Sequence, residues 1–370
     1  MSVVISGTGL FTPKESITNE ELVESFNQYV SIFNDSNKEL IDSGDIEALV
    51  PSSSEFIKKA SGIEQRYVQN KSGILDVTRM RPKLDERSNS DVSILAEMAI
   101  IAAKEAIDQA GIESSDIDAV ICGCANLQRA YPAVSIEIQQ ELNISGYAYD
   151  MNVACSSATF SIQNAYNDIL SGVAQKVLVV NPEICSGHLN FKDRDAHFIF
   201  GDACTAIILE RSSQSHFTFE ILGTKLQTKF SNNIRNNFGF LNLPEDSNPL
   251  SADKLFIQKG RSVFKEVVPL VQEHISDHLE SLDIQVGKVK RLWLHQANLS
   301  MNQLIAKRLL GRDPTDDEMP IILNDYANTS SAGSIIAFHK NKDDFAQDQI
   351  GVISSFGAGY SVGSIILKKI

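Results

Sequence analysis

Cys155 stands in the stretch DMNVACSSATFSI, residues 150–162, between small residues where a strand pattern gives way to a helix pattern. A cysteine at a helix N-terminus meets the positive end of the helix dipole and free backbone N–H groups, both of which favour a thiolate. The small neighbours would let a substrate reach the sulfur. Buried cysteine is also a common packing residue, so this stretch alone leaves a core thiol and a nucleophile both open. His295, in LHQAN, ends an apolar run, and Asn328, in YANTSSAGS, precedes a run of small residues. Cys, His and Asn drawn from separate segments form a recognised set for covalent thiol catalysis. In SSFGAGYSVGS, residues 354–364, Gly357 and its neighbours Phe356 and Ala358 predict a tight turn. Beside Cys155, such a turn would lend a backbone N–H that, with the N–H of Cys155, forms an oxyanion hole for a thioester intermediate. A plain strand-to-strand turn is the alternative.

What would bring these groups together is an internal duplication. AVICGCANL (119–127) and RLWLHQANL (291–299) are short apolar runs ending in Ala-Asn-Leu, 172 residues apart. Before them lie 93–112 and 263–284, where apolar residues recur three and four apart as on amphipathic helices. ACSSATFSI (154–162) and NTSSAGSIIAF (328–338) share Ser-Ser-Ala at an offset of 174, and FGDACTAIIL resembles FGAGYSVGSIIL. The chain therefore reads as two α/β units, 1–212 and 213–370, the first carrying the cysteine and the second the histidine and asparagine. Strands alternating with helices predict mixed sheets covered by helices. Two halves face to face would give five layers, with the two central helices buried between the sheets. The stretches 34–54 and 69–91 are polar and rich in turn formers, and predict surface insertions, the first with a short helix.

Composition narrows the function. The net charge is −14, which argues against a nucleic-acid binder. No apolar run is long enough to span a membrane, and the N-terminus has no signal-peptide pattern, so a cytoplasmic protein is expected. Five scattered cysteines fit reduced thiols rather than disulfides. Cys122 and Cys124 lack further ligands at zinc spacing, and no metal site is expected. Basic residues cluster in KLFIQKGRSVFK, which holds Lys265, and in IAKRLLG, which holds Lys307 and Arg308; either a solvated face or a docking patch would account for them.

The combination of DMNVACSSA, DRDAHFIFGDA, LHQANL, ANTSSAGS and FGAGYSVGS resembles the β-ketoacyl-acyl-carrier-protein (ACP) synthase III family of the thiolase superfamily. The resemblance implies a five-layered αβαβα fold and a homodimer. It also implies a decarboxylative condensation: Cys155 takes an acyl group from acyl-CoA, malonyl-ACP loses carbon dioxide, and the carbanion attacks acyl-Cys155. His295 and Asn328 would hydrogen-bond the malonyl thioester carbonyl, Ala358 would lend the oxyanion N–H, and Phe356 would sit beside the site. No tightly bound cofactor is implied. The family clamps adenine between a tryptophan and an arginine; here Arg194 matches the arginine and Phe56 replaces the tryptophan. Ala60 stands where the family has a further arginine, with Lys58 and Lys59 nearby. Asn298 matches a pantetheine-channel asparagine, and Lys265, Lys307 and Arg308 match ACP-docking positions. Tyr131 falls where an aromatic gate limits the acyl pocket from the dimer partner. The insertions resemble a medium-chain branch that makes β-ketodecanoyl-ACP from an octanoyl donor.

Rival readings part at single residues. A thiolase needs a second cysteine near the glycine turn, where Phe356 stands. The two-histidine elongating synthases need histidine at 328. A CoA-dependent acyltransferase of secondary metabolism would keep the same three residues, whereas a catalytically silent heterodimer partner has no need of them.

Overall fold

The computed structural model describes residues 2–211 and 218–370, so the 212/213 boundary between halves lies outside the described residues. Nine strands form one mixed sheet. In spatial order the first half contributes Tyr147–Met151, Ala119–Gly123, Lys176–Ile184, Asp202–Arg211 and Val3–Phe11. The second contributes Phe219–Ser231, Gly359–Lys369, Ile350–Gly357 and Val289–Leu294. Each half is antiparallel at the seam and parallel toward its edge, where Ala119–Gly123 pairs with Lys176–Ile184 and Val289–Leu294 with Ile350–Gly357. The two mixed half-sheets are continuous at the seam. Val4 and Ile5 pair with Glu220 and Phe219, so hydrogen bonding runs from one half-sheet into the other.

The halves also differ at their outer edges. Tyr147–Met151 has no counterpart strand among the described residues of the second half; there a short helix, Leu323–Tyr326, precedes an isolated bridge between Asn328 and Phe200. Asn328 is thereby tied to the first half, its N–H donating to Ile199 O and its carbonyl accepting from Gly201 N.

Helices complete five layers. Ile94–Ala110 and Val134–Glu141 cover the outer face of the first half-sheet, and Gly260–Ser281 covers that of the second, with Leu299–Leu310 against it. Between the half-sheets lie Ser157–Ser171 and Ala332–Lys340, which touch strands of both. A helix enclosed on all sides must be slim. Buried positions on the first include Ser157, Ala158, Thr159, Ser161 and Ala165, and Ala332–Phe338 are buried throughout the second. Ser161 disposes of its hydroxyl by donating to Ser157 O at 2.6 Å, the back-bond that lets serine sit in a helix interior. Ile162, Ile335, Trp293 and Phe338 share the apolar cluster that fills this layer. The 34–54 insertion contains a short helix, Lys38–Asp42, as expected. No helix among the described residues is long and apolar enough to cross a membrane.

The outer helix Ile94–Ala110 lies unusually close to strand Val3–Phe11. Its inner face is alanine (Ala99, Ala102, Ala103, Ala106, Ala110), and the strand meets it with Gly7 and Gly9. A Cβ on Gly9 would fall 1.9 Å from Ala102 O, and one on Gly7 2.0 Å from Ala106 O. Backbone cannot yield as a side-chain tip can, so overpacking here should cost about 2–3 kcal/mol. Gly9→Ala is expected to lower the thermal unfolding midpoint by several degrees in scanning calorimetry; an unchanged midpoint would contradict this close approach.

Candidate active site

Cys155 precedes the central helix Ser157–Ser171, at the point where the chain turns from strand to helix through Ala154 at φ 48°. It is half-buried. Ser156 N and Ser157 N donate to Val153 O and Ala154 O, so the N–H groups expected to be free for the sulfur are partly spent in the turn. Burial pushes the thiol up to about 11, against the Ser330 hydroxyl and the backbone N–H groups of Cys155 and Ala358, which pull it down. Desolvation outweighs the helix end here, and the resting group is a thiol. The two backbone donors expected for an oxyanion hole, those of Cys155 and Ala358, do both act on the sulfur.

The glycine turn is a strand-to-strand turn and also packs against the site. Strands Ile350–Gly357 and Gly359–Lys369 meet at Ala358. A Cβ on Gly357 would sit 2.6 Å from Cys155 Cβ and 3.0 Å from its sulfur, so no other residue fits there unchanged. Phe356 is buried, and its ring meets the His295 ring edge to face at 5.3 Å.

His295 follows strand Val289–Leu294. Its N–H donates to Ser354 O at 2.8 Å and its carbonyl accepts from Asn302 Nδ2 at 3.0 Å, which fixes the backbone from both sides. Burial drives its ring down to about 3, so the imidazole is neutral. Asn328 Oδ1 accepts from Ser330 N at 2.9 Å, which orients the amide and leaves its NH2 uncommitted. Cys155, His295 and Asn328 line one cavity of about 570 Å³, together with Phe356 and Gly357. The structure therefore brings together all three residues singled out in the sequence.

Ser330 is the residue the sequence did not flag. Its Oγ donates to Cys155 Sγ at 3.5 Å, its N–H holds Asn328, and its backbone lies against the His295 ring. Ser331, next in the chain, bonds the fully buried Glu183 through both N–H and Oγ. Glu183 also accepts from Ala125 N at 3.0 Å, and burial raises its carboxyl to about 7. The repeated Ser-Ser-Ala gave Ser330 only the status of a match to Ser156.

Three of the residues expected at a CoA site line the same cavity, and Arg194 packs on one of them. Phe56, Ala60 and Asn298 line it. Arg194 stacks its guanidinium 4.0 Å above the Phe56 ring and donates Nε to Pro51 O. Asn298 caps helix Leu299–Leu310, its Oδ1 accepting from Met301 N at 3.2 Å, while its Nδ2 donates to Ala60 O at 2.8 Å. Lys58 pairs with Glu64 at 2.7 Å. Lys265, Lys307 and Arg308 are exposed on the two outer helices of the second half, and Lys307 pairs with Asp313 at 2.8 Å. Tyr131 is 85 % exposed and does not reach the Cys155 cavity of its own chain. Cys122 and Cys124 are buried and packed, and no group of three potential metal ligands occurs among the described residues.

Comparison with known proteins agrees with this geometry. Models of 3-oxoacyl-[acyl-carrier-protein] synthase III and of its C-terminal region match residues 149–229 and 279–369. The β-ketodecanoyl-[acyl-carrier-protein] synthase of Pseudomonas aeruginosa is 60 % identical over 94 % of this chain and its own full length. A β-ketoacyl-[acyl-carrier-protein] synthase III of Ehrlichia ruminantium is 27 % identical over 90 % of this chain and 95 % of its own. The crystal structure of the synthase III from Aquifex aeolicus superposes with a TM-score of 0.76, covering 99 % of both chains at 23 % identity. With a thiol, a neutral imidazole and an oriented amide facing one cavity on a thiolase-like fold, the chain belongs to the β-ketoacyl-ACP synthase III family.

Proposed function

We propose that this synthase makes β-ketodecanoyl-ACP from octanoyl-CoA and malonyl-ACP. The observation that carries the reading is the convergence of Cys155, His295 and Asn328 on one cavity, with Ser330 touching all three. The 60 % identity to the Pseudomonas β-ketodecanoyl synthase supports the chain length.

In the first step Cys155 Sγ attacks the acyl-CoA carbonyl, with the N–H groups of Cys155 and Ala358 receiving the oxyanion. The tetrahedral intermediate collapses, the CoA thiolate leaves and takes up the thiol proton, and the acyl group stays on sulfur. In the second step malonyl-ACP loses carbon dioxide. The electron pair of the broken C–C bond moves into the thioester as an enolate, whose oxygen accepts hydrogen bonds from the neutral His295 ring and the Asn328 NH2. The enolate carbon then attacks the acyl-Cys155 carbonyl, a C–C bond forms, and the cysteine thiolate departs and regains a proton. A neutral imidazole suits this role: it donates one N–H without drawing in the malonyl carboxylate as a counter-ion.

Around this centre, Phe56 and Arg194 would open their stack to admit adenine, and Asn298 would line the pantetheine path. Lys265, Lys307 and Arg308 form a local basic face on an acidic chain, suited to an acidic carrier protein. A homodimer would bring Tyr131 of one copy to the acyl pocket of the other. The two halves, 1–212 and 213–370, would act as one catalytic unit.

The direct test is intact-mass spectrometry after incubation with acyl-CoAs of two to twelve carbons. An acyl adduct is expected on the wild-type protein, strongest with octanoyl, and none on Cys155→Ala. His295→Ala and Asn328→Ala are expected to cut condensation by about 10²–10³ while acylation of Cys155 falls far less. Equal loss of both steps would contradict the roles assigned.

The pH profile is a second expectation. With the thiol near 11 and the imidazole near 3, the resting pair is uncharged at neutral pH. Below its pKa the thiolate fraction rises about tenfold per pH unit. Alkylation of Cys155 by iodoacetamide should therefore climb steadily from neutral pH toward pH 10, with no plateau near 7. Ser330→Ala removes a donor that lowers the thiol, so its profile should shift to higher pH. A plateau below pH 8 in the wild type would indicate a thiolate–imidazolium pair and overturn this account.

A further inference from the structure

One buried acid beside the site takes no part in the two steps above. Glu183 lies near the end of strand Lys176–Ile184 and is fully buried. Its Oε1 accepts from Ala125 N at 3.0 Å, from Ser331 N at 3.2 Å and from the Ser331 hydroxyl, which ties a loop of the first half to the second. Its Oε2 meets weak donors, the thiols of Cys124 at 3.7 Å and Cys185 at 4.0 Å. An amide would accept the same three Oε1 bonds without burying a charge, so hydrogen bonding alone gives no reason for an acid here. What the acid adds is the capacity to take up a proton.

The proton that must move in the first step is the one on the Cys155 thiol. The Ser330 hydroxyl reaches both groups: it donates to Cys155 Sγ at 3.5 Å, and it pulls the Glu183 carboxyl down as a donor does. A hydroxyl can turn, so it can accept from one neighbour while donating to the other. Against that pull, burial raises the Glu183 carboxyl to about 7, whereas the His295 ring is held at about 3. Glu183 is thus by far the better proton acceptor of the two at neutral pH, and His295 stays neutral for the condensation. The Glu183 charge pushes up all five cysteines of the chain, Cys122, Cys124, Cys155, Cys185 and Cys204. A second buried acid, Asp202 on the neighbouring strand, is held by Ser186 and by Gln69 N, and its charge is felt at Cys185.

We propose that Glu183, acting through the Ser330 hydroxyl, is the proton acceptor for Cys155 when the acyl group is taken up. As Sγ bonds to the thioester carbon, the S–H proton passes to Ser330 Oγ, the Ser330 proton passes to the Glu183 carboxylate, and the carbonyl electron pair becomes the oxyanion. On collapse the C–S bond to CoA breaks. The CoA thiolate recovers a proton from the Glu183 acid by way of the same hydroxyl, and the carboxylate is restored. This rests on the reading of Cys155 as the acyl carrier.

The test follows Cys155 acylation by octanoyl-CoA in single turnovers, by mass spectrometry, from about pH 6 to about pH 9, beside alkylation by iodoacetamide. The carboxylate is the accepting form, so wild-type acylation should rise through about pH 7 and then level off, while alkylation, which draws on thiolate already formed, keeps climbing. Glu183→Gln keeps an acceptor for Ser331 and Ala125 but cannot take a proton. It should lose the rise near 7 and acylate about 10²-fold more slowly at about pH 7.5. It should alkylate no more slowly than wild type, because a charge that raises the thiol is gone. A merely structural role would slow both reactions. Ser331→Ala removes a donor that lowers the carboxyl, so its rise should move to higher pH, and this variant decides the question if Glu183→Gln does not fold. Asp202→Asn should keep the rise near 7. Parallel slowing of acylation and alkylation in Glu183→Gln, an unmoved rise in Ser331→Ala, or a rise that Asp202→Asn removes and Glu183→Gln keeps would overturn the relay and leave Cys155 as the acyl carrier. A wild-type protein that takes no acyl group of any length would instead overturn the reading of Cys155, and the relay with it.

Discussion

The contact of the Ser330 hydroxyl with the Cys155 sulfur joins the two halves of the chain at the candidate active site. The sulfur comes from the first half and the hydroxyl from the second, 175 residues later. Around that contact space is so tight that Gly357 must be glycine. Ser330 reaches it from a left-handed backbone, φ 50°, an uncommon conformation for serine that the surrounding bonds must hold. Those bonds include Ser331 to Glu183 and Asn328 to the Ile199–Gly201 backbone. The half-sheets, the slim central helices and the seam at Val4–Ile5 all serve to close the halves to this distance.

Burial has two opposite effects on the pair it encloses. It raises the thiol and depresses the imidazole, so both rest uncharged. For a thiol protease that would be a poor starting point. For a condensing enzyme it is useful, because the second step needs a neutral donor beside a forming enolate and a site dry enough for that hydrogen bond to matter. The cost falls on the first step, where the thiol must lose its proton as it attacks.

Much of this was legible in the sequence, for a specific reason. The duplication placed Cys155, His295 and Asn328 at related positions, and packing two copies of one unit face to face leaves little freedom in where such positions meet. Four things were not legible. Ser330 was hidden by its own repetition, since the letters that reveal the duplication are the same ones that bring its hydroxyl to Cys155. The hydrogen bonds of the Asn298 amide, to a helix cap and to Ala60, were hidden because one of them spans 238 residues of chain. The ionisation of Cys155 was hidden too, because a helix terminus can be read from a sequence, whereas desolvation depends on atoms brought in from elsewhere. The joining of the half-sheets rests on two residue pairs, too few to leave a pattern.

A chain built from two copies of one unit might be expected to have two reactive ends. At the position matching Cys155, the second half carries Thr329, which is fully buried, and its hydroxyl has no hydrogen-bond partner. The bridge between Asn328 and Phe200 closes over it in the place where the first half has an open edge strand. The asymmetry leaves one reactive-type residue at the matched positions, the Cys155 thiol, and sets it against Ser330, His295 and Asn328 of the second half.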